Sequence, residues 1–370
     1  MDFCFTEEQT LLRNSLSRTL KDNYSYEDWR KFTHTPEGRD PNHWRQFAEL
    51  GLLAAPLPEE FGGLGGGPVE SMVVMEEFGR ALVVEPFVPT VVIAGGLLAK
   101  SGGALAEEIL PKIAGGETIM AFAFAETQSR YNLADIATTA KKQGDDYVLN
   151  GQKSVVLGAP WANHLIVTAR SGGGQREEKG VSVFLVDKSA KGVATRDYAA
   201  MSGLRASEIS FENTPARLIG KDGEGFASLD EVVDHAIAAH LAEAMGAIAV
   251  LVSATVDYAK TRKQFGQQIG KFQVLQHRMA DMFIAQQQAQ SASLMATLKL
   301  GADDGARAVS AAKAAVGKYA KQVGESAIQI HGGIGMTDEL NVGHYFKRLT
   351  LLEMLYGSRD HHLRRMAALS

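Results

Sequence analysis

The sequence feature that most constrains the fold is a long stretch with helical periodicity of its apolar residues, in the last part of the 370-residue chain. From Phe226 to about Arg262, apolar residues recur in steps of three and four, which is the spacing of one face of an α-helix. The pattern predicts one long helix there and further helices at 269–300, 305–330 and 341–368. Helices of this length with small residues on several faces are typical of a bundle that also packs against other subunits.

Helical signals also fill the first third of the chain. Thr6 followed by Gln9 is a capping-box pattern, which predicts the start of a helix. Apolar residues with helical spacing predict three more helices, around Trp44, at 69–82 and at 104–113.

Near Thr118 the pattern changes to short apolar runs of strand length, at 119–125, 164–169, 181–186 and 207–211. Asn150-Gly151 predicts a tight hairpin turn between two strands. These patterns predict an α+β multidomain fold with an N-terminal helical domain at 1–117, a central β-domain at 118–225 and a C-terminal helical bundle at 226–370.

Charge and spacing exclude several classes of function. The net charge of −5 gives no electrostatic support to nucleic-acid binding. The single cysteine, Cys4, cannot form an internal disulfide, and the sequence has no metal-binding spacing or P-loop or Rossmann fingerprint. His361 and His362 are adjacent on a predicted helix and point apart, which predicts solvated or interface side chains. With no signal-peptide pattern and no uncharged apolar run of about 18 residues, we expect a cytoplasmic protein without a membrane partner.

Two segments carry residues with a functional signal. Arg262 and Gly266 lie where one long helix ends and the next begins, and an arginine can bind a diphosphate through two hydrogen bonds. The segment 329–336 ends a later helix, where glycines let the backbone approach a flat or phosphorylated ligand. From the residues alone, each segment is equally well explained as a tight turn between helices.

These segments resemble the signature of the acyl-CoA dehydrogenase family. The runs Arg262-Lys-Gln-Phe-Gly266 and Gln329-Ile-His-Gly-Gly333 are similar to it, and the stretches 59–65 and 149–153 resemble its earlier landmarks in the same order. The resemblance implies a helical, a β-barrel and a helical-bundle domain, with FAD as cofactor and an acyl-CoA substrate. It implies α,β-desaturation, in which a base removes the thioester α-proton and the β-hydrogen leaves as hydride to the flavin.

In this family the FAD lies between two subunits, and one subunit donates contacts to the pyrophosphate and adenine of a flavin whose ring the other holds. The resemblance implies that this chain donates such contacts through Arg262, Gln264, Phe265, Gln273, Gln329, Gly332 and Gly333. The ring-holding positions differ from the family pattern. Ala125 and Ala134 stand in place of hydroxyl donors, and Val155 and Leu157 stand in place of a stacking ring and a hydroxyl.

The position of the family's catalytic glutamate is occupied by Tyr356. A phenol is a poor base at neutral pH because its ordinary pKa is about 10. Some members of the family carry the glutamate at the start of the long helix instead, but the segment 234–238 has none at the matching place. Glu231 and Asp234 lie nearby and are interpreted as surface carboxylates rather than as a displaced base. The sequence therefore leaves the catalytic base unknown, with no metal ligands in its place.

The residues expected to hold the flavin ring and to act as base are replaced, whereas those expected to contact the pyrophosphate and adenine are kept. This difference predicts that the chain shares the work with another subunit. The chain resembles the small subunits of heteromeric members of the family, of the pimeloyl-CoA dehydrogenase and steroid side-chain dehydrogenase kinds, and the first implies a dicarboxylic acyl-CoA. We therefore expect a non-catalytic subunit that lends FAD contacts to a larger acyl-CoA dehydrogenase subunit in a hetero-oligomer, with a tetramer as the expected form. Electron-transfer flavoprotein is the expected electron acceptor.

Three alternatives stay open at this point. The chain could be a homo-oligomeric dehydrogenase whose base is Tyr356, His235 or Asp234. It could be an acyl-CoA oxidase or a flavin monooxygenase on the same scaffold. It could also be an assembly subunit that stabilises a partner and performs no chemistry.

Overall fold

The computed structural model describes residues 5–144 and 146–369, so the prediction about Cys4 lies outside the described residues. The chain forms two compact units. The helical unit contains the described chain up to Lys31, the segment Ser71–Val83 and the chain from Ile237 onward. The mixed unit contains Phe32–Glu70 and Val84–Ala236. Helices at both ends of the chain and strands in its middle confirm the predicted fold class.

Eleven α-helices lie within the described residues: α1 Glu7–Asn23, α2 Tyr26–Thr33, α3 Pro41–Glu49, α4 Pro68–Ala81, α5 Gly95–Ser101, α6 Gly103–Ala114, α7 Phe226–Thr261, α8 Gln273–Lys299, α9 Gly305–His331, α10 Val342–Met354 and α11 Arg359–Ala368. Helix α1 begins with the predicted capping box, since the Thr6 hydroxyl accepts from the Gln9 amide and the Gln9 side chain accepts from the Thr6 amide. The five helices from α7 to α11 follow the predicted boundaries within a few residues, and the predicted segment 341–368 holds two of them, α10 and α11.

Three helical segments are absent from the sequence prediction, namely α2, the π-helix Val88–Ala94 and the short helix α5. Helix α2 has only eight residues, too few for apolar periodicity to stand out, and it is fixed by burial of Trp29. The π-helix Val88–Ala94 precedes α5, and the Thr90 hydroxyl there donates to the Met120 carbonyl. A wider turn of this kind depends on a tertiary partner and leaves no repeat in the sequence.

The strands of the mixed unit form a closed barrel. They are β1 Met120–Ala123, β2 Thr139–Gln143, β3 Asp146–Leu157, β4 His164–Arg170, β5 Val181–Asp187, β6 Val193–Ala199 and β7 Arg205–Ile219. Pairing runs β4-β2-β3-β7-β5 and returns to β4, because β5 pairs with both β7 and β4. Strand β1 adds parallel to β4, and β6 adds antiparallel to β7. Closure removes exposed edges from the ring, as expected for a small barrel.

The hairpin predicted at Asn150-Gly151 is wrong. Strand β3 runs straight through both residues, and its pairing with β7 shifts register there as a β-bulge. A side chain at Gly151 would put its Cβ 2.6 Å from the Thr138 Cα, so this glycine serves a close backbone approach rather than a turn. The chain reverses instead between Gln143 and Asp146, which face each other in the β2–β3 pair.

Helix α7 crosses α4 at very short range within the helical unit. A Cβ added to Gly79 would lie 1.9 Å from the Glu243 carbonyl oxygen, and one added to Gly246 would lie 1.9 Å from the Glu76 carbonyl oxygen. Each helix therefore presents a glycine to the backbone of the other, and any side chain at either position forces the helices apart.

Helix α7 is also the one described helix that is long and apolar enough to cross a membrane by length and composition. Within its most apolar window, 78% is buried inside the protein, which is the pattern of a core helix.

Candidate functional site

The segment that follows α7 forms a small hairpin with an exposed aromatic tip. Strands β8 Lys263–Gln264 and β9 Gln267–Gln268 pair antiparallel, and Phe265 and Gly266 form the two-residue turn with φ of 51° and 77°. Positive φ at both central residues is the geometry of a type I′ hairpin, which a bulky residue rarely adopts. The Phe265 side chain is nevertheless 91% exposed. Among the described residues, the Phe272 ring lies edge-on to it with centroids 6.2 Å apart, and most of the Phe265 ring stays open to solvent.

The segment that ends α9 leaves its backbone open. Gly332 has φ of 66°, and a Cβ added to Gly332 or Gly333 would meet no atom within 4 Å. Gln329, one turn earlier on α9, is exposed and also lines a groove of about 760 Å³ between α8 and α9. These glycines are therefore not required by internal packing. Their open amides and carbonyls suit close approach by a ligand.

A partly buried aromatic contact brings the two segments side by side. Tyr258, one turn before the end of α7, stacks on His331 with ring centroids 4.4 Å apart and 25° between the planes. The Tyr258 hydroxyl also donates to the His331 carbonyl at 3.4 Å. Because Arg262 follows one residue and Gly332 the other within a single turn, the hairpin and the glycine pair lie on one surface. Burial lowers the pKa of His331, which keeps it neutral in this stack.

All seven residues predicted to donate FAD contacts are exposed in the helical unit; we call them the nucleotide-end surface, namely Arg262, Gln264, Phe265, Gln273, Gln329, Gly332 and Gly333. A guanidinium, three amide side chains and open glycine backbone are the donor set that a diphosphate and an adenine require. The residues present therefore fit the nucleotide half of FAD. They lie on the surface of the helical unit, and Gln329 also lines the groove between α8 and α9.

The Gly-Gln-Lys landmark on β3 has a structural role in the mixed unit. Lys153 is fully buried and donates to Glu126 at 2.7 Å, to the Phe124 carbonyl at 3.1 Å and to the Thr168 hydroxyl at 3.1 Å. Burial alone would raise the pKa of Glu126, but Lys153 and several hydrogen-bond donors outweigh it and lower that pKa to about 2. Burial lowers the pKa of Lys153 to about 8. This ion pair joins the chain after β1 to β3 and β4.

The loop after Glu126 is held rigidly although it departs from the family pattern. Ala134 is buried, and its carbonyl accepts from Arg170 at 2.7 Å. Asp135 accepts from Gln175 at 2.7 Å and from Arg176 at 2.8 Å. The loop therefore presents methyl groups at Ala125 and Ala134, with no side-chain donor for a ligand ring at either position.

Strand β3 has an unusual backbone at Val155, where the resemblance implies a residue that stacks on the flavin ring. Val155 has φ of 53°, which is a strained conformation for a β-branched residue, and its side chain is 56% exposed. A bulge separates Lys153 from Val156 in the pairing with β7, and the Val155 amide donates to Glu208 at 3.2 Å. The backbone is strained here, and neither Val155 nor Leu157 offers an aromatic face or a hydroxyl.

The turn that carries Tyr356 is held in place by side chains of α9 and α11. Tyr356 has φ of 58°, its carbonyl accepts from the His362 ring at 3.1 Å, and a Cβ added to Gly357 would lie 2.6 Å from that ring. The buried Lys313 donates to the Leu352 carbonyl in the last turn of α10. Burial raises the pKa of the Tyr356 phenol well above its ordinary value, so the residue at the expected base position is not itself a base.

His362 contradicts the interpretation of both adjacent histidines as solvated or interface residues. Its side chain is buried, it lies 3.3 Å from the Ser310 hydroxyl, and burial lowers its pKa to about 3. It therefore supports the turn internally as a neutral ring. The prediction failed because one face of α11 packs on α9, which adjacency in sequence does not reveal.

The carboxylates near the start of α7 have different environments. Glu231 is exposed and ion-paired with Lys100, as expected for a surface carboxylate. Asp234 is buried, so its interpretation as a surface carboxylate is wrong. Burial lowers the pKa of the neighbouring His235. The helical period places Asp234 on the inner face of α7, because it shares that face with the apolar core positions four residues on.

A buried polar network beside Tyr356 is absent from the sequence prediction. His240 Nδ1 lies 2.8 Å from Glu243 Oε2, and the other oxygen of Glu243 accepts from Arg348. Arg348 also donates to the Val83 carbonyl at 2.9 Å. The signal in the sequence is the pair of polar residues three apart in an otherwise apolar stretch of α7.

Comparison with known proteins agrees with this architecture. Three family models match the chain in order: "Acyl-CoA dehydrogenase, N-terminal domain" at residues 6–117, "middle domain" at 121–214 and "C-terminal domain" at 223–369. The "3-(aryl)acrylate reductase" of Clostridium sporogenes is 28% identical over 85% of this chain and 86% of its own. The "probable acyl-CoA dehydrogenase YngJ" of Bacillus subtilis is 29% identical over 97% of both chains.

Solved structures show the same fold. A variant of the "Tcur3481-Tcur3483 steroid ACAD" has a TM-score of 0.89 at 29% identity, covering 98% of this chain and 97% of that one. "PigA with FAD and proline" has a TM-score of 0.91 at 25% identity, covering 100% of this chain and 98% of that one. The chain belongs to the acyl-CoA dehydrogenase family, and it is a flavoprotein oxidoreductase that uses FAD and acts on acyl-CoA.

Proposed function

We propose that the chain is the smaller subunit of a heteromeric acyl-CoA dehydrogenase and lends its nucleotide-end surface to an FAD whose ring is held by a larger partner subunit. The single observation that carries the proposal is the exposure of the Phe265 side chain. A bulky aromatic side chain, 91% exposed in a left-handed turn beside Arg262, is costly unless an outside contact uses it.

The residues expected to hold the flavin ring support the same assignment. In the mixed unit the positions expected to hold the ring offer Ala125, Ala134, Val155 and Leu157, which provide no hydroxyl and no aromatic face. The base position holds Tyr356, whose phenol stays protonated. When bound, FAD accepts the hydride of the desaturation. This chain contributes hydrogen bonds to the diphosphate and a stacking surface for the nucleotide.

One relative and the family resemblance bear on the details of this proposal. The "Tcur3481-Tcur3483 steroid ACAD" is named for two components, which is consistent with a two-chain enzyme here. The resemblance to the pimeloyl-CoA dehydrogenase kind makes a dicarboxylic acyl-CoA the first substrate to test. Electron-transfer flavoprotein is the proposed electron acceptor, and a tetramer of two unlike pairs is the proposed assembly.

Flavin counting on a co-expressed complex tests the proposal. The chain is co-expressed with a larger acyl-CoA dehydrogenase subunit from the same genome, and FAD is measured per mass of purified complex. One FAD per pair of unlike chains is expected. One FAD per chain, or a chain that is fully flavinylated when made alone, contradicts the proposal.

A matched pair of substitutions tests the contact itself. Arg262→Ala removes a charge-assisted hydrogen bond and should weaken FAD binding by about 1.5–3 kcal/mol, which is roughly 10- to 150-fold in Kd. Lys271→Ala removes an exposed positive charge outside the nucleotide-end surface and should leave FAD retention unchanged. Equal retention in both variants would instead favour an assembly subunit that does not touch the cofactor.

A further inference from the structure

His240 is placed beside the Tyr356 turn by two elements of the helical unit. It lies on α7, and its ring centroid is 5.9 Å from that of Tyr356, with 31° between the planes. It also lies about one turn along α7 from the segment 234–238, where some members of the family carry their glutamate. Both positions expected for a base therefore adjoin the same histidine, whose side chain is only 14% exposed.

Glu243 orients this histidine. It is buried, and its Oε2 lies 2.8 Å from His240 Nδ1. Burial would raise the pKa of Glu243, but the attraction of Arg348 and the bond from His240 outweigh it and lower that pKa, so the carboxylate is ionised. An ionised acceptor fixes the proton on Nδ1, which leaves Nε2 of the ring with a free lone pair.

Arg348 prevents Glu243 from acting as the proton acceptor in place of His240. The guanidinium is buried, donates to Glu243 and is anchored on the Val83 carbonyl, so the carboxylate is held by a cation on one oxygen and by the imidazole on the other. A carboxylate that orients an imidazole in this way stabilises the imidazolium that forms when the ring takes a proton.

We propose that His240, oriented by Glu243, is the proton acceptor for an acyl thioester bound at the Tyr356 turn of this chain. In the step, the C–H bond at the α-carbon breaks, its electron pair remains on the substrate as an enolate, and the proton moves to His240 Nε2. Return of a proton from the imidazolium re-forms the C–H bond, so the exchange is complete without an oxidant. Histidine suits this role because its ordinary pKa is the nearest to neutrality among side chains.

This inference goes beyond the proposed function, which assigns this chain contacts to FAD and no proton transfer. It does not depend on where the flavin ring lies, because α-proton exchange consumes no electron acceptor. Failure of the flavin-counting experiment would leave it standing, and its own failure would leave the lent FAD contacts standing.

The test is deuterium uptake at C2 of acetoacetyl-CoA, whose C2 protons are acidified by two carbonyl groups. The full-length chain is incubated with this probe in heavy water, and the label is followed by mass spectrometry. The unaltered chain should exchange these protons faster than buffer. His240→Ala should lower the rate by about 100-fold or more, the contribution typical of a general base. His277→Ala, at an exposed histidine on α8, is the matched control and should have no effect.

Chemical rescue separates a catalytic role from a structural one. Free imidazole should restore exchange to His240→Ala, because the small cavity left by the ring can admit the missing base. Glu243→Gln should lower exchange by about 10-fold or more without rescue, since it removes the orienting charge. Exchange no faster than buffer in the unaltered chain, or undiminished exchange in a folded His240→Ala variant, overturns the proposal. Loss of exchange in Tyr356→Phe with retention in His240→Ala overturns it as well.

Discussion

Replacing Lys153 by methionine should destabilise the mixed unit far more than the similar shapes of the two side chains suggest. The ammonium group is fully buried, and Glu126 is its partner at 2.7 Å. Methionine fills most of the same volume but leaves a buried carboxylate without its cation. Removing one partner of a buried ion pair costs about 3–5 kcal/mol.

The structure places the expected value near the lower end of that range. Without Lys153, Glu126 still accepts from the Ala137 amide at 2.8 Å, from the Thr138 amide at 3.1 Å and from the Gln128 side chain at 2.7 Å. These donors stabilise the carboxylate in part, so we expect a loss of about 3 kcal/mol. With an m-value of about 3 kcal/mol per molar urea, the unfolding midpoint should fall by about 1 M.

Urea unfolding at pH 7, followed by far-UV circular dichroism, measures this effect. Lys142→Met, at an exposed position on β2, is the matched control and should stay within about 0.5 kcal/mol of the unaltered chain. The double variant with Glu126→Gln removes both charges and should recover part of the stability lost in Lys153→Met. Equal losses in Lys153→Met and Lys142→Met, or no recovery in the double variant, would refute the reasoning.

The acid side of the stability curve gives a second readout on the same pair. The folded pKa of Glu126 is lowered from 4.5 to about 2, so its contribution is present above about pH 4.5 and is lost as the pH falls towards 2. Lys153→Met raises the folded pKa of Glu126. The acid transition of the variant should therefore begin at a higher pH than that of the unaltered chain.

Three further predictions follow from single positions. Gly246→Ala should destabilise the helical unit by about 1–3 kcal/mol in urea unfolding, because its Cβ meets the Glu76 carbonyl, whereas Gly172→Ala, with open space around it, should not. Gly333→Ala should leave the unfolding midpoint unchanged but weaken FAD retention in the complex, since its Cβ enters open space at the nucleotide-end surface. Val155→Gly should raise the free energy of unfolding by about 0.5–1 kcal/mol by relieving backbone strain; a loss of stability would argue against strain there.

Sequence periodicity predicts the parts of this fold that are long and local. Helix α7 spans 36 residues, so its repeat is unambiguous, and its observed end at Thr261 lies next to the predicted one. Short elements such as α2 and the outer strand β6 are missed because their stability comes from contacts distant in sequence. The turn predicted at Asn150-Gly151 is wrong for a related reason. A tight turn favours glycine, and so does a β-bulge where another backbone comes as close as that of Thr138 does here.

The candidate site also has parts that are local in sequence and parts that depend on contacts between distant segments. The residues of the nucleotide-end surface could be named from the resemblance of two local runs, around Arg262 and around Gln329, because each residue lies in a turn or near a helix end. The network that joins His240 to Arg348 could not, because these side chains are 108 positions apart and meet only through packing of α7 against α10. The burial of Asp234 likewise follows from the partners of α7 and not from its own sequence.

Under the proposed two-subunit assembly, the exposed tip at Phe265 has a consequence for the cell that makes this protein. A chain synthesised in excess of its partner would display an uncovered aromatic group and an unfilled surface, which are features that chaperones and proteases recognise. Matched synthesis of the two polypeptides, from adjacent genes or one message, would keep orphan copies scarce. In that proposed assembly, the hairpin would tie the lifetime of this subunit to the abundance of the other.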